Sequence, residues 1–280
     1  MASVKMLVVA GSAVILCLNA AGAADFAVPV APVPVVAEYS GWYLRGDIGF
    51  TNQRVKSPKY DYGTLGQPAS VDVVSKEFET GGIFGIGIGY QFNNWLRGDI
   101  TGEYRSASTF HGYEVVNFGG YLFPEHNTIV KSEWVALANL YADLGTWWCI
   151  TPFVGFGIGA ANVRLSGFED TIIGAYNPAL DDGFVVNANN SANAGSKWNF
   201  AWAVHAGLAY KVTPNFTIEL AYRYLNLGDG KTGAISGFDG TYQGAGYALN
   251  DIYSQDVKLG VRWLLAPEPV APLPPLVTKG

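Results

Sequence analysis

Few residues of this 280-residue chain are of a type and spacing that could do chemistry. It carries three histidines and two cysteines. His111 and His126 share one polar stretch, with Tyr113, Phe118, Tyr121 and Phe123 between them. Two imidazoles on one segment can supply axial ligands to a haem iron, and the aromatic rings a surface for its macrocycle to stack on. The plainer reading is that a long surface segment carries polar and aromatic residues anyway. The third histidine, His205, falls between Ala203 and Gly207 in an alternating segment and reads as a hydrogen-bonded interior residue. No HExxH, GxSxG or clustered metal-ligand pattern accompanies any of the three. A hydrolase needs a base with a nucleophile or paired acids within hydrogen-bond reach. None is signalled, so the expectation is a non-enzyme with no metal and no cofactor, haem at His111 and His126 being the one option. The acidic pairs Glu169-Asp170 and Asp181-Asp182 read as solvated loop residues.

Composition narrows the class. Charged residues make up 14% of the chain, against about 25% in ordinary domains, and there are 35 glycines. Half the chain is apolar and aromatics reach 14%, so disorder is excluded. A net charge of −6 speaks against a nucleic-acid partner. Beyond the N-terminus no apolar run is long enough for a transmembrane helix. What remains is a glycine- and aromatic-rich β protein.

Residues 1–24 have the parts of a cleavable export signal: Lys5, an apolar stretch from Met6 to Leu18, and the small-residue site Ala20-Ala21-Gly22-Ala23-Ala24. Cleavage there removes Cys17 and leaves Cys149 alone, which precludes an intramolecular disulfide or a thiolate metal site. Cys149, between Trp148 and Ile150, is expected to be a small apolar filler. Residues 25–39 carry prolines at 29, 32 and 34 and read as an extended linker. A second proline-rich stretch, 266–280, closes the chain as a tail.

Between these flanks the hydrophobic period is two. Eight segments show it: 40–51, 81–92, 95–105, 129–144, 147–161, 198–212, 216–225 and 252–264. Each is long enough for a tilted strand to cross a bilayer, which takes about 9–11 residues. The connections alternate between tiny ones, at Asn93-Asn94, Gly145-Thr146 and Thr213-Pro214-Asn215, and long Gly/Ser/Asn/Asp-rich ones. Short turns on one side and long loops on the other are the pattern of an outer-membrane barrel, with the turns in the periplasm.

The two faces of the segments differ sharply. One face collects Trp42, Leu44, Ile48 and Phe50, then Leu96, Ile100 and Tyr104, then Ile218, Leu220 and Tyr222, then Val257, Leu259, Val261 and Trp263. The other collects Arg45, Asp47, Arg97, Asp99, Glu103, Arg105, Glu219, Arg223, Lys258 and Arg262, the core of a predicted lumen charge network. Lys131, Glu133, Asp143, Lys197, Lys211 and Asp256 are assigned to the same face. Charges inside a narrow barrel must pair, because an unpaired buried charge costs several kcal/mol. The rows Gly85, Gly87, Gly89 and Gly155, Gly157, Gly159 belong to the polar face, where they would make room for large side chains from other strands. Trp42, Trp95, Trp147, Trp148, Trp198 and Trp263 lie near segment ends, as in an interfacial girdle. Trp134 and Trp202 sit deeper and fit a girdle less well.

Four segments carry a family likeness. Gly41-Trp42-Tyr43-Leu44-Arg45-Gly46-Asp47-Ile48-Gly49-Phe50 closely resembles the first strand of the opacity-like, porin-family surface-antigen barrels of alphaproteobacteria. Residues 151–161, Ala221 to Gly228, and Val257 to Trp263 are similar to that family's fifth, seventh and last strands. The likeness covers about 40–265. It implies an OmpA-like transmembrane fold, and because the family includes hemin-binding members it adds to the haem option at His111 and His126. Many barrels of this kind finish on an aromatic residue, whereas this chain continues past Trp263 to Gly280.

The expectation is therefore all-β: an eight-stranded antiparallel up-and-down transmembrane barrel with four long extracellular loops and three short periplasmic turns. It would sit in the outer membrane of a Gram-negative cell. Its partners would be outer-membrane lipid, lipopolysaccharide and the barrel-assembly machinery, with a homo-oligomer left open. The function that follows is a non-enzymatic, structural surface protein; the alternatives are a haem or small-ligand receptor and a narrow porin-like channel.

Overall fold

The computed structural model describes residues 40–63 and 66–265. The export signal at 1–24, the linker at 25–39 and the tail at 266–280 lie outside the described residues.

Twelve strands follow in chain order: β1 (Gly41–Asp61), β2 (Ser70–Phe78), β3 (Gly81–Gln91), β4 (Leu96–Phe118), β5 (Tyr121–Asp143), β6 (Ile150–Asn177), β7 (Asp182–Ala192), β8 (Gly195–Lys211), β9 (Phe216–Lys231), β10 (Ile235–Gly237), β11 (Tyr242–Gly244) and β12 (Gly246–Leu264). Eight of them close a ring in the order β1, β3, β4, β5, β6, β8, β9, β12 and back to β1, every pair antiparallel. The other four attach outside the ring: β2 on β4, β7 on β6, β10 on β7 and β11 on β10. The eight predicted segments are the eight ring strands. Within the apolar belt, closure gives each ring strand a neighbour on both sides, so none of them has an open backbone edge there.

The outward face is the apolar one. Phe50, Ile86 and Ile100 are 70%, 75% and 65% exposed, and Leu44, Ile48, Ile88, Phe156, Leu220, Val257, Leu259 and Val261 are exposed with them. Aromatic rings bound this belt on both sides. At the short-turn end Trp42 packs edge-on to Tyr90 at 5.4 Å and Phe216 packs on Trp263 at 5.7 Å, beside exposed Trp95 and Trp147. At the other edge Tyr104 packs on Trp134 at 5.0 Å, Trp202 on Tyr224 at 5.6 Å and Tyr224 on Tyr253 at 5.7 Å. Trp134 and Trp202 thus belong to a second girdle. They looked misplaced only because the strands run on beyond the belt.

That extension is the main departure from the sequence pattern. β1 continues to Asp61, β4 to Phe118 and β6 to Asn177, while β5 begins at Tyr121. The connection expected after the third segment is strand except for Gly119 and Gly120, whose φ values of 60° and 89° suit the two-residue turn between Phe118 and Tyr121. β4 also carries a bulge between Arg105 and Ser108. Before it odd-numbered residues such as Glu103 and Arg105 are buried; after it even-numbered ones such as Ser108, Phe110 and Glu114 are. A bulge adds one residue to one strand and so exchanges its faces.

The second short turn also differs. Trp147 and Ile150 exchange backbone hydrogen bonds of 2.9 Å, which makes Trp148 and Cys149 the tip. Both have positive φ, 50° and 66°, and both are exposed. Cys149 is therefore not an apolar filler, because a two-residue hairpin tip points away from the sheet.

Leu220 faces outward in mid-belt, opposite Leu259 on β12 and Leu208 on β8. Leu220→Arg should cost about 2–4 kcal/mol, the depth-dependent cost of Arg on a lipid face, whereas Leu220→Ala should be mild. Urea titration in lipid vesicles, read by the gel shift between unheated and heated protein, measures both; equal tolerance would contradict the outward assignment.

Candidate functional site

The inward face begins with charge. Arg45, Arg97, Arg105, Lys131, Arg223, Lys258 and Arg262 point into the lumen with Asp47, Asp99, Glu103, Glu133, Asp143, Glu219 and Asp256, and their side chains are largely buried. These are seven bases against seven acids. Lys197 and Lys211, assigned to this face from the alternation, are instead exposed near the ends of β8, where Lys197 Nζ lies 2.8 Å from Asp229. Lys211 is the last residue of β8, and β8 pairs with β9 only from Trp202 on, so at both places inward parity no longer means burial.

The pairing runs as a ladder up the barrel. Nearest the short turns, Arg97 Nε lies 3.1 Å from Asp143 and its Nη2 3.3 Å from Glu219, which also receives Arg262 at 3.5 Å. The Arg97 guanidinium stacks over Tyr141 at 4.3 Å and Phe153 at 4.7 Å. One level up, Arg45 donates to Asp47 at 2.8 Å and to Asp99 at 2.7 Å, and the Tyr43 hydroxyl donates to Asp99 at 3.0 Å. Above that, Arg223 clamps Glu103 through two hydrogen bonds of 2.8 and 2.7 Å while also reaching Asp256 at 2.7 Å. Lys258 adds a 2.5 Å contact to Glu103. Arg105 tops the ladder, bound to Asp256 at 2.9 Å and Glu133 at 3.0 Å, with Lys131 held by Glu133 and Gln53. The ten residues at the core of the predicted network all lie in this ladder; of the others assigned to the same face, Lys197 and Lys211 do not.

The glycine rows make this fit. A methyl on Gly89 would overlap the Tyr43 ring, one on Gly155 the Tyr141 ring, and one on Gly157 the Asn139 amide. His205 is buried among these groups, with Nε2 3.2 Å from the Asn139 side chain and its ring edge-on to Tyr141 at 5.3 Å. It is the interior residue expected.

Beyond the charged ladder the lumen turns apolar. Val55, Phe110, Ile129, Leu165, Phe168, Leu225, Leu227, Leu249 and Ile252 form one buried cluster on the strand extensions. Above it lies a polar layer that the sequence pattern did not flag: Glu114, Glu125, Asn127, Asp170 and Asn190, all buried. Asp170 is 1% exposed, so only Glu169 of that pair meets solvent. The signal was present in the alternation of Glu125, Asn127, Ile129 and Lys131, but it ran through residues read as loop. Tyr247 donates to Glu114 at 2.6 Å and Asn190 to Asp170 at 2.9 Å. Burial, then the neighbouring Asp170 and Glu114, push the Glu125 carboxyl well above the ordinary carboxylate range. Burial raises Asp170 and Glu114 as well.

His111 and His126 do come together. They sit on neighbouring strands of the β4–β5 hairpin with near-parallel rings 6.1 Å apart, facing outward because the bulge has exchanged the faces of β4. His111 Nε2 lies 3.6 Å from Glu79.

The family model for the outer membrane protein beta-barrel domain matches residues 12–263. An uncharacterized protein of Brucella abortus is 32% identical over 234 residues, covering 76% of this chain and 78% of that one. Outer membrane protein PagN of Salmonella typhimurium is 30% identical over 158 residues, 53% of this chain and 59% of PagN. Among solved structures, OprG of Pseudomonas aeruginosa aligns with a TM-score of 0.44 at 11% identity, over 81% of this chain and 97% of OprG. A closed ring of eight strands with an aromatic-bordered apolar belt defines a transmembrane β-barrel. The chain belongs to the outer-membrane β-barrel family and resides in the outer membrane of a Gram-negative cell.

Two measurements probe the lumen. Arg223→Met leaves Glu103 and Asp256 without their shared partner and should cost about 3–5 kcal/mol; Arg223→Lys, which keeps the charge, should cost less. The second concerns pH. Because Glu125, Asp170 and Glu114 titrate higher when folded, the stability they contribute is whole below their unfolded values, near pH 4. It is lost as pH rises through the folded ones. The urea midpoint should therefore fall with rising pH in the parent chain, and fall less in Glu125→Gln. Parallel pH profiles for the two would contradict the assignment.

Proposed function

We propose that this chain is a non-enzymatic surface protein whose barrel is a sealed anchor and whose outer strand extensions are its exposed, partner-facing part. One observation carries the reading: the lumen within the belt is filled by a matched set of seven bases and seven acids, each held by hydrogen bonds or ion pairs. A water-filled pathway would have to break several of these pairs at once. The belt of Ile, Leu, Val and Phe between two aromatic girdles fits a wall of outer-membrane lipid, with lipopolysaccharide on the outer leaflet. The all-strand ring fits a client of the barrel-assembly machinery. By the rule for such barrels, short turns face the periplasm, and the β1, β4, β5 and β6 extensions face the outside.

In planar bilayers the refolded protein should show no discrete, stable openings; regular unitary steps would overturn the sealed-anchor reading. Orientation has a built-in reporter. In a Cys17→Ala chain, Cys149 at its exposed hairpin tip should react with a membrane-impermeant maleimide only after the cells are permeabilised. Labelling on intact cells would invert the topology.

A second reading, a haem receptor, rests on the adjacency of His111 and His126. It predicts a red-shifted Soret band on haem titration that disappears when both histidines are replaced by Ala and survives His205→Ala.

A further inference from the structure

The buried acidic layer at the outer mouth lies beside a cavity of about 400 Å³. That volume falls within the range of roughly 300–1,000 Å³ typical of small-molecule sites. Most of its walls come from three parts of the ring, and Asn190 of β7 and Gln243 of β11 complete them. The far end of β1 brings Tyr60, with Tyr62 just past it, the β4–β5 hairpin brings Phe118 and Phe123, and β5 and β6 bring Glu125 and Asp170. The Tyr60 and Tyr62 rings stack at 4.5 Å, and Phe118 meets Tyr62 edge-on at 6.2 Å.

The polar groups on this wall are incompletely used. Glu125 is 5% exposed, and its Oε2 has no hydrogen-bond partner among the described residues. The same holds for Oδ1 of Asp170, whose Oδ2 is taken by Asn190, and for the Tyr62 hydroxyl. Just behind, Asn127, paired in register with Asp170, leaves both ends of its amide unused. Buried polar atoms left without partners cost about 1–3 kcal/mol each, so so many around one cavity point to a ligand that completes them. Unlike the lumen below, where seven bases answer seven acids, the buried layer of Glu114, Glu125 and Asp170 contains no Lys or Arg among the described residues. The complement this layer lacks is positive charge.

We propose that this cavity is a binding site for a small organic cation, an ammonium or guanidinium group carried on an aromatic or apolar body. The charged head would sit between Glu125 and Asp170, donating to the oxygens left open. The body would lie against Tyr60, Tyr62, Phe118 and Phe123, whose ring faces attract cations as well as apolar groups. A bare metal ion fits less well, since among the described residues no group of three or more His, Cys, Asp or Glu is placed to hold one. The site stands whether or not the lumen conducts, because it lies above the charged ladder.

Phenethylamine tests the proposal, with 2-phenylethanol as its uncharged counterpart of nearly the same shape. Titration calorimetry on protein refolded in non-ionic detergent should show saturable one-to-one binding of phenethylamine, and the alcohol should bind at least tenfold more weakly. The Glu125→Gln, Asp170→Asn double variant, shown to be folded by the gel shift on heating, should lose at least tenfold in affinity for the amine. If that variant does not fold, Tyr62→Leu serves in its place: it removes a ring and a hydroxyl from the wall and should weaken the amine several-fold. No saturable binding of the amine, equal binding of the alcohol, or undiminished affinity in the folded variant would overturn the site and leave the two carboxyls as groups quieted by protons alone.

Discussion

Hydrocarbon offers a backbone N–H or C=O nothing to bond to, so a strand can cross a bilayer only if both of its edges are paired. The ring from β1 round to β12 meets that constraint, with Tyr43 opposite Leu264 across the closing seam and Gly89 opposite Tyr43 on the other side. Closure at eight strands then sets the interior. The space is wide enough for side chains and little else. Every inward residue must pack against inward residues of other strands, and every inward charge must find its opposite there.

The ladder of ion pairs is the consequence. Its long-range members join strands far apart in the chain: Arg223 of β9 holds Glu103 of β4, and Arg105 of β4 holds Asp256 of β12. Such pairs would gain little net stability on a surface. Inside the barrel they act chiefly as constraint, since removing one partner strands the other in a low-dielectric medium. Glycine serves the same geometry from the opposite side. Tyr43 and Tyr141 can lie across the lumen only because Gly89 and Gly155 have no side chain there.

Beyond the belt the constraint relaxes, and the interior changes with it. The strand extensions hold an apolar cluster, then the layer of Glu114, Glu125 and Asp170 with unused oxygens. Balanced charge gives way to carboxyls alone at the level of the strand extensions. The matched charges of the lower lumen and the unmatched carboxyls beyond it are thus two results of one architecture, and the proposed sealed anchor and cation site rest on that difference.

Much of this was legible in the residues themselves. Alternation with period two, the short turns at 93–94 and 213–215, and the segregation of Arg45, Asp47, Arg97, Asp99 and Glu103 from Leu44, Ile48 and Ile100 determined the eight strands and which way they face. Those features are local, because a strand's two faces are written in successive residues. Tertiary structure decided whatever depended on another strand. The bulge after Arg105 turned His111 outward and Glu114 inward. Pairing carried β4, β5 and β6 through stretches that read as loop, and so buried Asp170 beside Glu125. The turn at Trp148 and Cys149 settled where the thiol points. In each case the residue's own neighbours in sequence were compatible with either outcome, and the partner strand chose between them, because inside a closed ring a side chain's surroundings come from the strands across from it.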